Sequence, residues 1–143
     1  MNMSPHFTLA EFVISETAAR SGIDNDPPIE LLPALKRTAL GLEAVRVRLG
    51  GAPITVTSGY RCPALNAAIG GAKDSQHMRG EAADFICPRF GTPAEVAAAL
   101  RDSGIEYDQL LLEFGRWVHI SFSAAPRRQA LIIDARGTRP MWV

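Results

Sequence analysis

Lysine is nearly missing from this chain: Lys36 and Lys73 are the two among 143 residues, and arginine supplies the remaining positive charge. Fifteen basic residues face 15 acidic ones. That balance excludes the basic field of a nucleic-acid-binding surface. Cysteine is equally scarce. Cys62 and Cys87 cannot define a disulfide framework in a chain of this size. They flank the most patterned region, so a bridge or a thiolate ligand stays open, but two reduced, half-buried thiols are expected. No run approaches the roughly 20 apolar residues that cross a bilayer, so no membrane partner is expected. Met1 to Phe7 has neither the cationic start nor the apolar run of a secretory signal, so synthesis in the cytoplasm without a signal peptide is expected.

What remains is an ordinary globular composition, 47% hydrophobic and 21% charged, of a length suited to one domain over residues 1–143. Thr8-Leu9-Ala10-Glu11 is a capping box that predicts a short helix, and Gly22 to Pro28 reads as a loop. Between Ile29 and Leu49, apolar residues recur at helical spacing (Leu32, Leu35, Ala39, Leu42, Val45, Leu49), with Pro33 tolerated early and Gly50-Gly51 as a stop. Ile54 to Thr57 predicts a strand, and Pro63 to Ile69 a short helix. Ala82 to Ile86 reads as a buried strand. Thr92-Pro93-Ala94-Glu95 is a second capping box, opening a helix to about Asp102. The last third predicts strands over Tyr107–Glu113, Arg116–Ser123 and Gln129–Asp134. Helices first and an antiparallel meander last predict an α+β fold, with N-terminal helices packed on one face of a small antiparallel sheet.

Histidine occurs three times, and two of the three sit in patterned segments: Ser75-Gln76-His77-Met78-Arg79-Gly80-Glu81-Ala82-Ala83-Asp84-Phe85 and Trp117-Val118-His119-Ile120-Ser121. Two imidazoles and a carboxylate are the ligand chemistry of a catalytic Zn2+ site, which keeps one position open for water. His77 and Asp84 are seven positions apart, so the pair is not borne on one helix. Gly80 lets the chain turn between a loop carrying His77 and a strand carrying Asp84, and His119 arrives from a neighbouring strand. The expected chemistry is hydrolysis by a metal-activated water.

These segments resemble the zinc D-alanyl-D-alanine carboxypeptidase family of murein metallopeptidases, which includes phage endolysins and vancomycin-resistance D,D-dipeptidases. The likeness runs from Thr57-Ser58-Gly59-Tyr60-Arg61, through Asn66 and Gly70-Gly71-Ala72, to the S-x-H-x-x-G-x-A-x-D pattern of Ser75 to Asp84, and ends at Trp117-Val118-His119. Phe7 to Phe12 is similar to phage-type members. The resemblance implies a hedgehog- and D,D-peptidase-like fold, with His77, Asp84 and His119 as zinc ligands. It also implies that Arg61 contacts a substrate carbonyl or carboxylate and stabilises developing negative charge, a task suited to its planar fork. Ser75 either binds a substrate carboxylate or orients His77. The implied partner is a peptidoglycan stem peptide, cut by a monomer; wall access would need a phage-type release.

The chain departs from the family where many members carry an acidic residue three positions before the last histidine, because Arg116 stands there. Glu113 is the nearest acidic candidate for general base, with Glu81 a weaker one. Were Phe114-Gly115 a two-residue loop, Glu113 would oppose Arg116 on the face away from His119. With a three-residue loop, Glu113 opposes Trp117 and shares the face of His119. The second arrangement is expected; a surface ion pair between Glu113 and Arg116 is the alternative. Arg116 also keeps open a catalytically silent, zinc-stabilised binding module, as in hedgehog signalling domains, and hydrolysis of a cytoplasmic D,D-dipeptide is a third reading.

Overall fold

The computed structural model describes residues 1–142. Strand β1 (Asn2–Ser4) pairs antiparallel with β2 (Phe7–Thr8), a hairpin too short to show an alternation in sequence. Thr8 then caps α1 (Leu9–Val13) in the expected capping box, its hydroxyl accepting from the Glu11 amide. Ser15 caps α2 (Glu16–Ser21) by its hydroxyl alone, which accepts from the Ala18 amide.

A 3-10 turn over Ile29–Leu31 leads into α3 (Leu32–Arg48), with Pro33 in its first turn. Leu35, Thr38, Ala39, Leu42 and Val45 form its buried stripe, the three-to-four-residue spacing that one helix face requires. Emptying such a site, as in Leu42→Ala, costs about 2–5 kcal/mol. The remaining elements are β3 (Thr55–Ser58), α4 (Pro63–Ala68), β4 (Ala82–Ile86), α5 (Pro93–Arg101), β5 (Gln109–Glu113), β6 (Trp117–Ser121), β7 (Gln129–Asp134) and β8 (Gly137–Pro140). Thr92 and Glu95 form the second capping box, at the start of α5.

Six strands make one sheet in the order β3-β4-β6-β5-β7-β8. The architecture is α+β, and every neighbouring pair is antiparallel except β5 with β7. The meander therefore fails at one step. Strand β6 already has β4 on one side and β5 on the other, so β7 cannot follow it in line; it crosses to the free edge of β5 and runs parallel to it.

The sheet has two different faces. Ala83 and Phe85, Leu110 and Leu112, and Val118 and Ile120 point into the core beside the buried residues of α3 and α5. Their alternates form the other face: Asp84 lies opposite His119, His119 opposite Leu111, and Glu113 opposite Trp117. A period of two thus sorts apolar side chains to the helices and polar ones to a groove.

Both cysteines are free thiols. Cys62 is half-buried and caps α4, its sulfur accepting from the Leu65 amide, whereas Cys87 is buried against the Pro53 carbonyl.

Candidate metal centre and its groove

His77 lies on a one-turn 3-10 segment, Gln76–Arg79, where a loop was expected. Ser75 caps that turn, its hydroxyl accepting from the His77 amide at 3.2 Å. Gly80 ends it at φ 72°, a left-handed conformation that glycine adopts without strain. A Cβ at Gly80 would lie 3.0 Å from Leu35 Cγ, so α3 packs hard against the reversal. Buried Thr38 also reaches the turn, donating its hydroxyl to the Gly80 carbonyl at 2.7 Å. The chain then enters β4 and delivers Asp84 across from His119.

The imidazole of His77 is 2% exposed, with Nδ1 2.6 Å from the Gly59 carbonyl oxygen. A carbonyl only accepts, so Nδ1 carries the proton and Nε2 keeps its lone pair. Nε2 sits 3.3 Å from Asp84 Oδ1, close enough for an ion pair, yet it makes no hydrogen bond and is sealed from solvent. His119 Nδ1 approaches the same carboxylate oxygen at 2.9 Å, and the two rings meet edge to face at 5.1 Å. Donor atoms of His77, Asp84 and His119 all lie within 4.8 Å of one another. A buried lone pair aimed at a carboxylate is a donor arrangement that fits a cation. Two imidazoles and one carboxylate, without thiolate, suit zinc.

Electrostatics follow from burial. Burial alone would raise the Asp84 carboxyl, but the hydrogen bond from His119 leads the effects of the two imidazoles that outweigh it and hold Asp84 well below the usual carboxylate range. The His77 imidazole is pushed down by burial, which keeps it neutral and fit to donate a lone pair.

Glu113 ends β5 opposite Trp117, across the three-residue loop Phe114–Arg116. Phe114 and Gly115 take left-handed φ values of 55° and 64°, and the Arg116 amide donates back to the Glu113 carbonyl at 3.0 Å. Glu113 Oε1 consequently lies 3.8 Å from His119 Nδ1. Arg116 is exposed, and no ion pair joins it to Glu113 among the described residues. Burial first, then the charge of Asp84, raises the Glu113 carboxyl, with His119 and Arg61 opposing the shift.

Arg61 enters from the segment after β3. Asn25 pins that segment, donating to the Tyr60 carbonyl at 3.0 Å and accepting from the Cys62 amide at 2.8 Å. The Arg61 amide itself donates to the His77 carbonyl at 3.2 Å. The guanidinium is lowered by burial, against the pull of Asp84 and Glu113.

A family model for peptidase M15 matches residues 5–121 of the chain. This chain belongs to the peptidase M15 family. Over 63 residues it is 43% identical to the zinc D-Ala-D-Ala carboxypeptidase of Streptomyces albus G, a stretch covering 44% of this chain and 24% of that protein. The chain thus matches only about a quarter of that relative's length.

In this M15 chain the cluster opens into a cleft of about 1040 Å3, ample for a peptide segment. Arg61, Ser75, His77, Asp84, Glu113 and His119 all line it. Glu81 lines it too, but its carboxylate is occupied by Arg79 at 3.1 Å and Gln76 at 3.3 Å. Sequence reasoning missed Asp108, buried at the head of β5. It takes the Gln76 amide at 2.8 Å and grips Arg127 through Nε at 2.8 Å and Nη2 at 2.7 Å. These contacts join residues 32 and 19 positions apart with no periodic pattern, so the sequence carries no signal for them.

Proposed function

We propose that this chain is a zinc-dependent peptidase that hydrolyses peptidoglycan stem peptides containing D-amino acids. His77, Asp84 and His119 would hold the metal. When bound, zinc would supply Lewis acidity, making water a readier proton donor near neutral pH and polarising a carbonyl. Glu113 accepts the proton released by the attacking water and passes it to the departing amine. Its raised proton affinity suits that traffic. Arg61 presents its fork to the developing oxyanion or to a substrate carboxylate. Ser75 orients His77 by accepting from its amide, and its O–H remains free to donate to a substrate carboxylate.

One observation carries this reading: a buried, proton-free imidazole nitrogen faces a carboxylate, with a second carboxylate, Glu113, 3.8 Å from His119. The silent-module reading rested on Arg116 replacing an acidic group. Glu113 supplies such a group from three residues earlier, which favours catalysis. The protein acts as a monomer at the cell wall after phage-type release.

Mass spectrometry of muropeptides incubated with the zinc-loaded chain tests the proposal. New peptide termini or loss of a terminal D-alanine are expected, in intact sacculi as well as in soluble fragments. Stoichiometric zinc with no mass change across a broad panel would leave a binding module. Cleavage confined to free D,D-dipeptide would move the substrate away from the wall.

A further inference from the structure

Asn66 belongs to the patterned stretch between Arg61 and Ser75, and neither the metal nor the proton transfers give it a task. It is buried in α4. Its Oδ1 accepts from Arg61 Nη1 at 3.2 Å, and its Nδ2 donates to the Ala72 carbonyl at 2.9 Å. The two bonds fix the amide's orientation, because a flip would set donor against donor and acceptor against acceptor. The Gly71 amide donates to the Asn66 carbonyl at 2.9 Å. A Cβ at Gly71 would fall 2.1 Å from Asn66 Oδ1 and 2.9 Å from Arg61 Nη1. Only glycine leaves that junction intact.

The holder is neutral. Among the described residues no carboxylate lies within ion-pair distance of Arg61, and its buried Nε has no partner. A carboxylate in the place of Asn66 would grip the fork more strongly, but it would also neutralise it. We propose that Asn66, seated by Gly71, is a positioning residue that fixes the Arg61 guanidinium toward the groove while leaving its full positive charge for an anionic oxygen of the substrate. The proposal rests on the reading of Arg61 as a substrate-facing cation.

A double-mutant cycle on the zinc-loaded chain tests it, using Asn66→Asp, Arg61→Ala and the pair. Asn66→Asp preserves size and the acceptor for Arg61 Nη1, pairs Arg61 with a charge, and gives up the donor to the Ala72 carbonyl. It is expected to keep zinc stoichiometry and to lower kcat/KM about tenfold or more, the scale of a charge-assisted hydrogen bond. In the Arg61→Ala background the same change is expected to cost less than about twofold. Equal factors in both backgrounds, or no loss with Arg61 present, overturn the proposal. If Asn66→Asp does not fold, Gly71→Ala takes its place under the same criterion, crowding the junction without adding charge. If Arg61→Ala alone is silent, the assignment of Arg61 falls and the clamp with it, an outcome distinct from equal factors. A readout independent of turnover is the NMR signature of the Arg61 Nη protons. They are expected as separate signals in the wild-type chain and as one averaged signal in Asn66→Ala; averaged signals in the wild type contradict the clamp.

Discussion

The groove has two walls built on different physics. One wall is sheet: Asp84, His119, Glu113 and Trp117 sit on β4, β5 and β6, and backbone ladders fix their spacing. The other is turn and loop: Arg61 and His77 hang on segments without long ladders. Single side-chain bonds hold these in place, from Ser75, Asn25, Thr38 and Asn66. On the strand wall a substitution removes a functional group and leaves its neighbours in place. On the turn wall a substitution outside the groove can move one.

The largest expected effect is His77→Ala, which removes a donor and the Gly59 contact together. Activity is expected to vanish. Zinc at a hundredfold excess over Kd, which would add about 2.7 kcal/mol to wild-type stability, is expected to add almost nothing to the variant; thermal unfolding with and without zinc reads both. Next is Glu113→Gln on the strand wall. Zinc stoichiometry and folding are expected to hold while kcat falls about 10²–10⁴-fold, the range of a lost general base; unchanged turnover removes Glu113 from the chemistry. Gly80→Ala then probes the turn wall from outside the groove. A left-handed alanine pressed on Leu35 is expected to cost about 2 kcal/mol in urea unfolding and to weaken zinc binding. Loss of stability with undiminished zinc affinity would show the two walls to be less different than claimed.

Asp108 is a stitch between the walls, and its effect is the smallest. Hydrogen bonds from Arg127, then Gln76, hold its carboxyl down at about 2, against an ordinary 3.8. A depressed carboxyl stabilises the native state above its unfolded value and loses that contribution as pH falls through the folded one. Asp108→Asn is expected to cost about 1.5 kcal/mol near neutrality. It is also expected to remove the share of stability that the wild type loses between about pH 4 and pH 2. Parallel stability curves for both proteins across that window would contradict the assignment.

The same division explains what the sequence discloses. Alternation along Ala82–Ile86 and Trp117–Ser121 places Asp84 and His119 on one face, and loop length alone decides the face of Glu113. Both capping boxes are visible because each is a local exchange of hydrogen bonds. The parallel partnership of β7 with β5 is invisible, because it depends on which edges remain free after β4 and β6 have paired. The strands β1, β2 and β8 are two to four residues long, too short for a period to show. Thr38 and Asp108 escape notice for another reason. Each is one polar residue whose partner lies far along the chain, Gly80 for the first and Gln76 or Arg127 for the second.

Calorimetric titration of the metal-free chain with zinc, run beside Asp84→Ala and His119→Ala, tests the central claim most directly. One tight zinc per wild-type chain is expected, and none in either variant. Equal uptake by all three proteins would show that these side chains do not share an ion.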